Sequence, residues 1–474
     1  MFTKGQLLEI DITDQAEGHK CFGRMPDGLA VFVEGLAAVG DRVTASIFKI
    51  KKNYLEARLV SVLTPSAARV QPACTHFGSC GGCKWQHLSY PEQLRIKRKM
   101  VADALVHIGG FADVRVDEAI GSPRPYAYRN KVEFSFGRKR YLLPDEMKSD
   151  AATFRKPVDF AVGFHAPGMF DKVVDVDQCH IATDEMNTVL RVSKAFAVER
   201  GIAAYNTDTG EGLLRHLVVR HAHFTKQLMV NVVTSRHEPD LMAALLGRLQ
   251  EALGDKLTTF INGLTARRSD VAYSDDQVVM LGRGIIVEQL GRWHFDISPN
   301  SFFQTNSEQA LCLYETTRKA AGLSGSEVVY DLYCGTGSIG IFVSVACSRV
   351  VGFEQEVSSV RDATANAKAN GVSNAEFVQV DLKHFDAARE GRPLPDVVIT
   401  DPPRAGMHAD TVKALLRVNP RRIVYVSCNP ASLARDAKLL CESGAYRLEE
   451  VQPVDLFPHT YHIESVARLE RVDG

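Results

Sequence analysis

VVYDLYCGTGSIG, residues 328–340, decides how the second half of this chain must fold. An apolar run closes on Asp331-Leu332, glycines follow at 335, 337 and 340, and helix-compatible sequence opens after them. Strand, glycine loop and helix in that order make one nucleotide-binding unit. Glu354, at the end of the next apolar run RVVGFEQ, stands where a carboxylate bonds ribose hydroxyls. Dinucleotides and S-adenosylmethionine both use this geometry, and residues 328–354 leave the two open.

Beyond residue 354 the same alternation continues. AEFVQVDL (375–382), DVVITDPPR (396–404) and RRIVYVSCNP (421–430) read as strands with their exit loops, separated by helical stretches such as 357–371 and 431–444. The expectation is an α/β domain, a doubly wound parallel sheet with ligands beyond the carboxyl ends of its strands. Two of those ends carry unusual chemistry. Asp401-Pro402-Pro403-Arg404 sets a carboxylate before two stiff prolines, and Ser427-Cys428-Asn429-Pro430 sets a thiol between strand and helix. A helix N-terminus would lower that thiol's pKa and favour the thiolate. FPHTYHIE (457–464) then places Glu464 after two histidines in the closing strands.

The first half reads differently. Short apolar runs between turn signals over residues 4–62 predict a small β-barrel. A cysteine-rich loop (72–90) precedes a helix over 91–109. Segments 125–180 and 213–297 are strand-rich, with helices near 183–200 and 239–254. Cys74, Cys80 and Cys83 sit close together, with Cys179 distant in VVDVDQCHI. No apolar leader or membrane-length apolar stretch appears, so a reducing, cytoplasmic setting is expected. There such a triplet signals metal, and zinc or an iron–sulfur cluster would both accept four thiolates.

Formal charge is -1, from 56 Lys+Arg against 57 Asp+Glu, so no global polycation advertises a nucleic-acid partner. Basic runs are local: Lys49, Lys51 and Lys52; Arg95, Lys97, Arg98 and Lys99; Arg129 and Lys131; Arg138, Lys139 and Arg140. Joined to a β-barrel, they suggest a shared RNA groove.

Asp401–Arg404, Ser427–Pro430 and His459–Glu464, in this order, resemble the motifs of the RNA (uracil-5-)-methyltransferase family. SPNSFFQTN (298–306) resembles the segment before that family's methyl-donor fold, and residues 4–62 resemble its RNA-binding TRAM domain. The resemblance implies three domains: a TRAM-like barrel at 1–64, a central domain with a cluster loop at 65–297, and a class I methyltransferase domain at 298–474. It implies Cys428 as nucleophile and Glu464 as general base. Gln304, Tyr333, Ser338, Glu354, Asp381 and Asp401 would line the S-adenosylmethionine site. Ser338 departs from the asparagine frequent at that position. Cys74, Cys80, Cys83 and Cys179 match the family's [4Fe–4S]-bearing members, which lean towards 23S ribosomal RNA over transfer RNA.

The expected reaction is C5 methylation of an RNA uridine through a covalent Cys–C6 adduct, by a monomer. Two other readings stand beside it. A nicotinamide-dependent iron–sulfur oxidoreductase would use the glycine loop and the cysteines but leaves Asp401–Arg404, Cys428 and Glu464 without a role. A non-catalytic RNA-binding protein must treat Cys428 and Glu464 as relics.

Overall fold

The computed structural model describes residues 2–16, 18, 20–143, 145–150, 154, 156–388 and 391–472. Three large sheets follow one another along the chain. In the first, six strands run in the order Leu7–Asp11, Arg42–Ile50, Tyr54–Thr64, Ala30–Glu34, Cys21–Arg24 and Asp14–Gln15. Alternate residues such as Val31, Val33, Val43, Ala45 and Ile47 turn inward to form its core. This sheet curls on itself: Thr13 N–H donates to the Phe22 carbonyl at 2.9 Å. Gly23 passes so close to the opposite strand that a Cβ would strike the Asp11 carbonyl.

The second sheet has seven strands, ordered Met169–Asp175, Ala161–Ala166, Lys131–Gly137, Leu214–His221, Leu228–Thr234, Leu257–Leu264 and Asp276–Leu281. Helices Asp184–Glu199 and Pro239–Leu253 cover it, as the apolar periodicity predicts, and share its core.

The third sheet holds the chemistry. Its order is Ala375–Gln379, Arg349–Glu354, Val328–Leu332, Val397–Thr400, Arg422–Ser427, Glu464–Arg471, Tyr446–Val454 and Arg115–Val116. The first five strands are parallel, and the next two are antiparallel to their neighbours. Residues 397–400 and 423–427 are buried throughout, the pattern of strands covered on both faces. Val328–Leu332 pairs with one strand that follows it by one crossover and another that follows by three. The order therefore reverses there, and the crevice at this reversal is where such sheets bind ligands.

Two short elements cross the expected division of the chain. Arg115–Val116 pairs in parallel with Glu450 and Val451 at the edge of the third sheet. The hairpin of Ile286–Leu290 and Trp293–Ile297 shares a core with that sheet and with helix Ser307–Ala321. The helix expected over 91–109 runs as an α-helix from Tyr90 to Ala104 and continues as a wider turn from Leu105 to Gly109. No helix among the described residues is long and apolar enough to cross a membrane.

Candidate active site

Cys428 and Glu464 are neighbours because of sheet register. Strands Arg422–Ser427 and Glu464–Arg471 are antiparallel with Ser427 opposite Ser465, so the next step along each places Cys428 beside Glu464. Asp401 lies one residue past the Thr400–Tyr425 pair on the adjoining parallel strand. Asn429 caps helix Pro430–Cys441 by accepting from Ala431 N–H at 3.1 Å. Its side-chain amide also donates to the Arg404 carbonyl at 2.9 Å, tying the proline loop to the cysteine loop.

A cavity of about 340 Å³ opens on this cluster, lined by Cys428, Asn429, Arg404, Tyr461, His462 and Ile463. Gln15 and Ala16 at the end of the first sheet, with Met100, Asp103, Ala104 and Ile108 of the helical segment after the cysteine loop, also line it. Its volume falls in the range of small-molecule sites and accommodates a nucleobase.

Electrostatics around this cavity disfavour charge. Burial pushes the Glu464 carboxyl up to about 8, with Asp401 adding and Arg404 opposing. Burial likewise holds Asp401 up at about 7. The Cys428 thiol is pushed up to about 11 by burial, then by Glu464 and Asp401, against the pull of Arg404. This corrects the expectation that the helix N-terminus makes it a thiolate: burial and two nearby carboxyls outweigh the end of the helix dipole. His462 is pushed down to about 4 by burial, then by Arg404 and Lys97, so its ring is neutral.

The expected donor site lies around the glycine loop. Gly337, at φ 77°, is the helix N-cap, and a Cβ there would sit 2.7 Å from the Phe377 ring. Gly340 lets its N–H reach the buried Asp331 carboxylate at 2.9 Å, where a Cβ would also crowd Val350. Glu354 accepts from Gly335 N–H at 3.0 Å and from Gln355 and Glu356 N–H with its other oxygen. Tyr333 takes a left-handed backbone at φ 60° and packs against the core on one face of the sheet. Asp381 is exposed and caps the short turn Leu382–His384. Gln304 sits in the loop before helix Ser307–Ala321, its carbonyl held by the Asn130 amide at 2.8 Å.

Tyr314 is a neighbour that the motifs do not name. Buried in helix Ser307–Ala321, its hydroxyl lies 2.8 Å from Ser338 Oγ. Asp401, Asp331 and Glu464 lie near enough to raise its pKa further, beyond the effect of burial. A helical tyrosine with no sequence motif gives no signal in one chain; only the packing of its helix brings it to the site.

Cys74, Cys80, Cys83 and Cys179 line one cavity of about 500 Å³, together with Arg129, Lys131 and Phe302. No disulfide joins them. Burial pushes Cys80 up to about 11 and Cys83 to about 12, with the other thiols of the set adding. Among the described residues, no three Cys, His, Asp or Glu side chains are arranged to hold a single metal ion. Tetrahedral zinc needs its thiolates about 2.3 Å from one point. A four-iron cluster would take one thiolate at each iron, and the four thiols share one cavity.

Most of the basic side chains are engaged in ion pairs. Lys97 is fully buried and pairs with Asp455 at 2.6 Å. Arg95 pairs with Glu92, Lys99 with Asp14 and Asp103, Lys139 with Asp171, and the buried Arg140 with Glu146. Lys51, Lys52 and Arg138 are exposed.

The tRNA (Uracil-5-)-methyltransferase family model matches residues 248–472, and the TRAM domain model matches residues 2–60. An RNA methyltransferase of Chlorobaculum tepidum is 48% identical over 475 residues, covering 100% of this chain and 98% of that one. One from Porphyromonas gingivalis is 42% identical, covering 98% and 99%. The crystal structure of Pyrococcus abyssi tRNA (uracil-54, C5)-methyltransferase with S-adenosyl-L-homocysteine superposes with a TM-score of 0.74. It is 30% identical, covering 98% of this chain and 100% of that one. Fold and site together define an S-adenosylmethionine-dependent methyltransferase that acts on RNA. Within that class, the chain belongs to the RNA (uracil-5-)-methyltransferase family.

Proposed function

We propose that this chain methylates C5 of an RNA uridine, with Cys428 as nucleophile and Glu464 as general base. The register that sets Glu464 beside Cys428, at the edge of the cavity Cys428 lines, carries this reading. Uracil C5 is a weak nucleophile, and covalent addition at C6 splits the reaction into easier steps. Cys428 sulfur bonds C6, and the displaced electron pair makes C5 enolate-like. S-adenosylmethionine supplies a sulfonium-borne methyl group that such a carbon can take. Glu464 then accepts the C5 proton, the electron pair returns to the C5–C6 bond, and the sulfur leaves. Arg404 opposes the upward push on both the thiol and Glu464, and so favours their ionised forms.

Gln304, Tyr333, Ser338, Glu354, Asp381 and Asp401 would hold the donor. The fit rests on the Gly335–Glu354 link and on the left-handed Gly335, whose Cβ would meet nothing within 4 Å. The four cysteines would hold a [4Fe–4S] cluster, which a brown colour lost with Cys83→Ala tests. The domain division at 1–64, 65–297 and 298–474 stays part of this reading, although Arg115–Val116 is built into the third sheet.

For the substrate we take large-subunit ribosomal RNA, on the resemblance of the cysteine set to cluster-bearing members. The same chemistry on transfer RNA is the second reading, favoured by the Pyrococcus protein named for uracil-54 of tRNA. RNA carrying 5-fluorouridine tests the mechanism, because fluorine blocks proton loss from C5 and the adduct accumulates. A complex stable on a denaturing gel with wild type and absent with Cys428→Ala is expected. Complex formation by Cys428→Ala would overturn Cys428 as nucleophile.

A further inference from the structure

We propose that the segment directly after the cysteine loop, Lys84–Lys97, together with Tyr126 and Tyr128, positions the Glu464 base by clamping the loop that delivers it. This rests on Glu464 being the base. Glu464 opens the last strand, and the chain reaches it through the turn from Val454, a connection of the kind that is ordinarily mobile. Two clamps hold this one.

The first clamp grips His459. This residue has a Cβ and yet sits at φ 65°, a conformation that persists only where the surroundings impose it. Its carbonyl accepts from Lys84 N–H at 2.8 Å and Trp85 N–H at 3.0 Å. Its own N–H donates to Gln93 Oε1 at 2.8 Å. The Gln93 amide nitrogen donates to the Trp85 and Leu88 carbonyls, both at 3.0 Å, and lies 3.2 Å from His459 Nδ1. Gln93 is wholly buried, so each of these bonds is made without competition from water. Tyr126 stacks on the His459 ring with centroids 4.3 Å apart, and Tyr128 Oη donates to the Pro458 carbonyl at 3.1 Å.

The second clamp grips Asp455, fully buried at the start of the turn. It accepts from Lys97 Nζ at 2.6 Å, from Tyr90 Oη at 3.0 Å and from Phe457 N–H at 3.0 Å. Lys97 Nζ also donates to the Phe457 carbonyl at 3.0 Å. A buried ion pair is poor evidence of stabilisation, but it fixes one geometry, and here the geometry is that of the turn leading to Glu464. The first clamp starts at the residue after Cys83, so the cysteine loop and the base loop are braced against each other. Around Glu464 itself stand Asp401, Arg404, Cys428 and Tyr314, none of them on the clamping segment.

The test uses Gln93→Leu, Tyr128→Phe and Glu464→Gln in the full chain. A base held out of place leaves the C5 proton on the methylated adduct, so covalent enzyme–RNA complex builds up. Gln93→Leu is expected to lower kcat at least tenfold, to bind S-adenosylmethionine within twofold of wild type, and to accumulate adduct on a denaturing gel. Tyr128→Phe removes one oxygen and keeps the ring, so it folds even if Gln93→Leu does not. It is expected to lower kcat two- to fivefold with the same adduct. Wild-type kcat and no adduct in the folded variants, while Glu464→Gln traps adduct, would overturn the clamp alone. Adduct absent from Glu464→Gln as well would overturn Glu464 as the base and the clamp with it.

Discussion

Cys428 and Glu464 occupy surroundings that oppose the charges their roles require. Both must lose a proton to act, and both are held protonated by burial and by nearby carboxyls. Methyl transfer under saturating substrates is therefore expected to rise with pH through about 8, where Glu464 ionises. A rate flat between pH 6 and 9 would count against it. The same shift carries a stability cost. The folded Glu464 binds its proton more tightly than the unfolded chain does, so its contribution falls as pH rises from about 4.5 to about 8. Glu464→Gln should then stabilise the fold at pH 8.5 by up to a few kcal/mol, at ~1.4 kcal/mol per pKa unit. Little difference should remain at pH 4, and paired thermal melts at the two values check both ends. Cys428 and its motif can be read from the chain, but the state of its thiol cannot. A helix N-terminus is visible in sequence; the burial that outweighs it is not, nor are the two carboxyls that add to it, from strands ending at Thr400 and beginning at Glu464.

Helix Ser307–Ala321 shows what an element contributes beyond its motif. SPNSFFQTN points to the loop before it, and Asn306 caps it by accepting from Gln309 N–H at 3.2 Å. The residue that reaches the glycine loop is Tyr314, two turns further on, bonded to Ser338. Serine is shorter than the asparagine frequent at position 338, and the Tyr314 hydroxyl fixes where its oxygen points. Tyr314→Phe is expected to weaken S-adenosylmethionine binding about three- to tenfold, the scale of one hydrogen bond, as calorimetry would show. Unchanged affinity would leave Tyr314 a packing residue. The basic helix Tyr90–Ala104 teaches the reverse lesson. Arg95, Lys97, Arg98 and Lys99 read as one basic run in sequence, yet Lys97 points into a fully buried pair with Asp455, 358 residues away. Sequence spacing places charges on a helix but cannot show what packs against it.

Across the whole molecule, the parallel sheet was readable because each strand is a long apolar run with a recognisable exit loop. Arg115–Val116 was not, since two residues have no periodicity and their partner is Glu450–Val451 at the far end of the chain. The first sheet reaches the cavity that Cys428 lines through Gln15 and Ala16. On the proposed function, a sheet so placed would guide RNA to the thiol. Lys51 and Lys52 are exposed at the turn between its two longest strands. Changing both to Glu should weaken RNA binding and flatten its salt dependence, by roughly one in log–log slope for each phosphate left without its lysine. S-adenosylmethionine affinity should stay as it is. Identical salt slopes for variant and wild type would remove this turn from the RNA path.

The central claim is C5 methylation of uridine in RNA. Label from S-adenosylmethionine should be followed into unmodified ribosomal and transfer RNA, with nucleoside analysis of each. Label is expected as 5-methyluridine, in ribosomal RNA first, and none with Cys428→Ala. Label on another nucleoside or on ribose, or transfer that survives loss of Cys428, would contradict it.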